Sequence, residues 1–147
     1  MSSYLTFYLQ PAQKKAEKPE EPMLLASYSR SSDVYQAFYE ELGIAFSGDK
    51  KHPYTEITVS DVHFVVKEHR EEIVRIKQQI ATMQKHLATI SNPIVIDERM
   101  NRIEELEEYV KELITAFKEL KHIEYLVETV EENKECSSFS KVLANIS

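Results

Sequence analysis

Histidines and carboxylates at helical spacing are the side chains of this chain best suited to chemistry. Glu119-x-x-His122 puts a carboxylate and an imidazole on one helix face. Di-iron helical bundles need two such motifs and two further glutamates, and only one motif is present here. His63 belongs to an earlier helical stretch. If the two stretches fold back on each other about residue 92, His63 lies opposite His122, with Glu119 one turn away. Two imidazoles and a carboxylate could bind zinc. The plainer reading of His63, Glu119 and His122 is that they are solvated flank residues, and no metal or cofactor is assigned. His69 falls in an apolar seam and is expected to be a polar core residue that fixes register. A pH switch is the sharper alternative.

A second constellation is Ser29-Arg30-Ser31-Ser32, just before a helix start and among Tyr28, Tyr35 and Tyr39. Free N–H groups, hydroxyls and a guanidinium suit an anion, and the tyrosines suit a base or a pocket wall. The ligand-binding expectation therefore falls on Tyr28, Arg30, Ser31, Ser32, Tyr35 and Tyr39, for a nucleotide or small anion. The competing reading is an ordinary serine cap with packed aromatics. No histidine stands nearby in sequence to activate either serine.

The 147 residues include only two glycines, Gly43 and Gly48. That excludes a P-loop, a GxGxxG turn and a GxSxG elbow. Cys136 is the only cysteine, so neither an internal disulfide nor a thiolate metal cluster can form. No acid–base–nucleophile set converges, and the chain is expected to be non-catalytic. The start lacks a basic region followed by an apolar run, and no stretch approaches the length of a membrane span. A soluble cytoplasmic protein is expected. The net charge of −7 argues against coating nucleic acid. Residues 97–135 alone hold 13 acids and 6 bases, which is −7, so the charge belongs to one segment.

These residues need elements to position them. Tyr4 to Leu9 alternates as a strand, and Met23 to Tyr28 is a second strand paired antiparallel with it. Pro11 to Pro22 reads as a charged loop. Ser31-Ser32-Asp33 caps a helix bearing Val34, Phe38 and Leu42, which stops at Gly43. Gly48 to Lys51 is a turn, and Tyr54 to Val59 a short strand. From a cap at Ser60, nine residues from Val62 to Ile90 recur at a mean step of 3.5, the heptad period. Asn92-Pro93 stops that helix and starts another. Its seam runs from Ile96 to Val130 at a mean step of 3.4, with skips near Ile103 and Leu120. Phe64 and Val65 on one helix, Tyr125 and Leu126 on the other, widen the stripes at the hairpin root, which calls for a third packing surface. The segment Lys141 to Ile146 is expected to close the sheet beside the first strand.

The fold class expected is α+β: a small antiparallel sheet with one short helix plus a long antiparallel coiled-coil helical hairpin. Residues 1–59 and 136–147 form the base and 60–135 the hairpin, in a single folded unit. At the hairpin tip, Ile90, Ile94, Val95, Ile96 and Met100 either close the seam or contact a partner.

The segments SYLTFYL, SYSRSSDVYQAFYEEL and FSKVLANIS resemble small accessory proteins of tailed bacteriophages. The resemblance carries no named motif. It implies an accessory or host-interaction role, in the host cytoplasm. The expected function is protein–protein interaction or oligomerisation through the hairpin. Two alternatives stand beside it: the anion binder at Arg30–Ser32, and an acidic nucleic-acid mimic using Glu104, Glu105, Glu107 and Glu108.

Overall fold

The computed structural model of the chain describes residues 3–11, 22–42, 54–133 and 139–146. Strand β1 spans Tyr4–Pro11 and turns Leu5 and Phe7 fully into the core. Strand β2, Met23–Ser29, pairs antiparallel along one side, with Leu5 opposite Tyr28 and an irregularity after Phe7. Strand β4, Phe139–Ile146, pairs antiparallel along the other side, with Leu5 opposite Ile146. The short strand β3, Thr55–Ile57, adds to β4, so the order is β2-β1-β4-β3. The alternating first strand and the apolar tail thus meet in the middle of the sheet. Pro11, expected in a loop, still pairs with Phe139 at the strand end, where a missing N–H disturbs the ladder least.

Helix α1 spans Asp33–Leu42, and Ser32 caps it by accepting from the Tyr35 N–H at 3.1 Å. Gly43, the turn at 48–51, the stretch 12–21 and Cys136 lie outside the described residues. Helix α2 spans Val59–Leu87. Its cap is Thr58 and not Ser60: the Thr58 hydroxyl accepts from the Asp61 N–H at 3.1 Å, and the Asp61 carboxylate accepts from the Thr58 N–H at 3.0 Å. This capping box starts the helix at Val59 and shortens the preceding strand to three residues. Asn92 caps α3, Pro93–Glu132, accepting from the Ile94 N–H at 3.0 Å with proline in the first turn.

The two long helices form the expected antiparallel hairpin, with two apolar clusters along it. The distal cluster joins Ile73, Ile76 and Ile80 to Ile103, Leu106, Val110 and Leu113. The proximal cluster joins Val62, Val65, Val66, Ala116, Leu120, Ile123 and Val127 to the sheet and α1 through Leu5, Phe7, Phe38, Val142 and Ala144. The sheet is therefore the third surface that the widened stripe called for. Val65 supplies that contact, and Leu126 is half-buried. Phe64 and Tyr125, expected to widen the stripe, stand exposed. Each lies next in sequence to a residue that faces the sheet or seam, so the helical turn rotates it outward. Among the described residues no helix is long and apolar enough to cross a membrane.

Candidate functional site

The root of the hairpin collects most of the polar side chains that the fold buries or confines. His69 is buried in the seam, and its Nε2 donates to the Leu113 carbonyl of α3 at 2.7 Å. Its ring stacks on Phe117 with centroids 6.2 Å apart. A hydrogen bond to one chosen carbonyl of the facing helix fixes that register, as expected for a lone polar residue in a seam.

Next to His69, where α1 meets both long helices, lies a groove of about 350 Å³. Asp33, Glu40, Glu41, Glu68 and Glu72 line it, against Arg75 alone among full positive charges. Arg75 is already paired with Glu72. Burial first, then the charges of Glu68 and Glu40, push the Glu41 carboxyl above the usual carboxylate range. Burial, then Glu72, Asp33 and Glu40, push the Tyr109 phenol up as well. Tyr109 also borders a shallower groove lined by Asn101, Glu104, Glu105, Glu108 and Glu112, so the two acidic surfaces adjoin. These acids come from three separate helices. Only the approach of α1 makes some of them share a cleft.

The residues singled out for anion binding do not converge. Ser32 is committed to its cap and to the Ser29 carbonyl. The Ser31 hydroxyl pairs with that of Ser29 at 3.1 Å. Arg30 is exposed, with its carbonyl held by the Gln36 side chain at 2.7 Å. Tyr35 is buried, and exposed Tyr39 stacks on it at 6.0 Å. Tyr28 donates to Glu119 at 3.2 Å. The groove of about 500 Å³ beside Tyr28 and Ser32 is lined by Asp33, Glu108, Glu112 and Glu119, with Lys111 the one cation, itself paired with Glu108. Such a lining repels an anion.

The histidine–carboxylate set is also different from the expectation. Glu119 is engaged by Tyr28, and His122 is exposed and joins no ligand set among the described residues. His63 instead meets Glu128, with Nε2 2.7 Å from Oε1, and Glu124, with Nε2 4.0 Å from Oε2. His63 thus faces Glu124 and not His122, which lies two residues, or about half a turn, away. A signal for it exists in the sequence. Counting steps of four and three on from Leu113 through Phe117 and Leu120 lands on Glu124 before Val127. The skip near Leu120 arises because Ile123 and Glu124 are both buried there.

At the far end of the hairpin, Ile94 is 69% and Met100 is 50% exposed. Ile90, Val95 and Ile96 are half-buried beside them, as are Met83 and Leu87. The seam closes as far as Ile80 and Ile103 and remains partly open beyond.

No protein-family model matches the chain, and neither a curated protein nor a solved structure matches it.

Proposed function

We propose that the protein is a non-catalytic interaction protein that binds another protein, or a second copy of itself, through the end of its hairpin. The observation that carries this reading is the exposure of Ile94 and Met100 beside half-buried Ile90, Val95 and Ile96, at the far end of the two long helices. Exposed apolar side chains grouped at one end are the usual mark of a contact surface. The resemblance to small phage accessory proteins supports a partner of host or phage origin, and with it a cytoplasmic site of action.

The test is light scattering over a wide concentration range, with pull-down from the source cell, on the wild type and on the Ile94→Glu, Met100→Glu double variant. The expected outcome is assembly, or a captured protein, that the double variant loses while its melting temperature holds. A strict monomer whose captured proteins are the same in both forms rejects the reading. The acidic-mimic alternative draws support from the adjoining acidic grooves. It makes the opposite forecast: binding survives the tip substitutions and fails when Glu104, Glu105, Glu107 and Glu108 are neutralised.

A further inference from the structure

At the root of the hairpin, away from its tip, three side chains converge between the long helices. His63 comes from α2; Glu124 and Glu128 come from α3 at a spacing of four, which stacks them on one helix face. One ligand atom from each lies within 4.8 Å of the others. Glu124 is only 8% exposed, an unusual place for a carboxylate. Lys121 holds its Oε1. Its Oε2 stands 4.0 Å from His63 Nε2. One oxygen of this largely buried carboxylate is held by Lys121, and the other stands beside an imidazole and near a second carboxylate.

We propose that His63, Glu124 and Glu128 bind a zinc-class divalent cation that clips α2 to α3. One imidazole nitrogen and two carboxylate oxygens are a borderline donor set, suited to zinc, cobalt or manganese and short of the six or more oxygens that calcium takes. A tetrahedral ion about 2.1 Å from each ligand needs those ligands roughly 3.4 Å apart. The 2.7 Å and 4.0 Å separations from His63 bracket that value, and all three ligand atoms lie within 4.8 Å of one another, so shifts of about 1 Å bring them toward it. His63 and Glu128 are partly exposed, which leaves an entry path and a coordination position for water. In the metal-free form His63 Nε2 donates to Glu128, because a carboxylate only accepts. On binding, that proton leaves or moves to Nδ1, which frees the lone pair. The cation then offsets two carboxylate charges, one of them buried, and holds the helices where the hairpin enters the base.

The test uses the full chain carrying Cys136→Ser, freed of metal by chelation, so that no thiol competes. Zinc is added under calorimetry, and cobalt is added for its visible absorption. The expected result is one ion per chain, with a cobalt spectrum of low coordination number. The melting temperature should rise by about 8 °C at a hundredfold excess over Kd. His63→Gln and Glu128→Gln should each weaken binding at least tenfold while keeping the metal-free melting temperature within a few degrees of the parent; His122→Gln should bind like the parent. Zinc binding that is absent, that leaves the melting temperature unchanged, or that survives both His63→Gln and Glu128→Gln overturns the proposal. In the first case the three residues form an ion pair only.

Discussion

Tyr28 shows how one side chain ties the sheet to the hairpin. It sits on the edge strand β2, pairs with Leu5, and reaches α3 to donate to Glu119 at 3.2 Å. Burial first, then the charge of Glu119 and the bond to it, push its phenol up to about 12. A phenolate there would lose its donated hydrogen bond and face a carboxylate. The folded state thus keeps a proton that the unfolded chain gives up near pH 10. Stability from this residue is fully present below pH 10 and is lost as pH rises through about 12. Solvent screens a half-exposed pair, so the contribution stays within about 1 kcal/mol. Tyr28→Phe should therefore flatten the fall in melting temperature between pH 10 and 12, relative to the parent. Glu119→Gln should lower the midpoint of one tyrosinate absorbance step. An unchanged alkaline profile in both variants would show that the contact is not made in solution.

The elements were legible where a period repeated or a cap was local. Leu5, Phe7 and Leu9 define β1 by alternation, and Ile73, Ile76 and Ile80 define α2 by the heptad step. Asn92-Pro93 marks the start of α3 because both residues act on the backbone beside them. The start of α2 is ambiguous by two residues in the sequence, since Ser60 and Thr58 are both capable caps. What decides between them is Asp61, which sits three residues after Thr58 and completes the reciprocal pair. Thr58→Ala should cost about 1 kcal/mol and Ser60→Ala next to nothing, read from denaturant midpoints. Equal effects would return the cap to Ser60. The candidate sites were less legible because each depends on register between elements. An error of about half a turn exchanges Glu124 for His122. Nothing local in Asp33, Glu40 or Glu68 tells that α1 will lean on the hairpin and gather them into one groove.

On the scale of the whole molecule, base and hairpin share one apolar cluster. A boundary drawn at residue 59 cuts through a single core, in which Val62, Val65, Leu120 and Ile123 pack with Leu5, Phe7, Phe38 and Val142. The distal cluster, by contrast, is drawn among the described residues from the two long helices alone. The molecule should therefore unfold its sheet, α1 and the proximal halves of α2 and α3 together, while the tip opens locally at lower free energy. Leu120 is fully buried at the centre of the shared core. Its replacement by alanine should cost about 2–5 kcal/mol and lower the melting temperature of the helical signal and of the near-ultraviolet tyrosine signal in step. Ile80→Ala, at the last closed layer of the tip, should leave the tyrosine transition nearly in place. It should instead speed hydrogen exchange in residues 76–87 and 96–106. If Leu120→Ala moved the tyrosine signal and left the helical melt behind, the hairpin would be stable by itself. The base would then be an appendage to it and not its foundation.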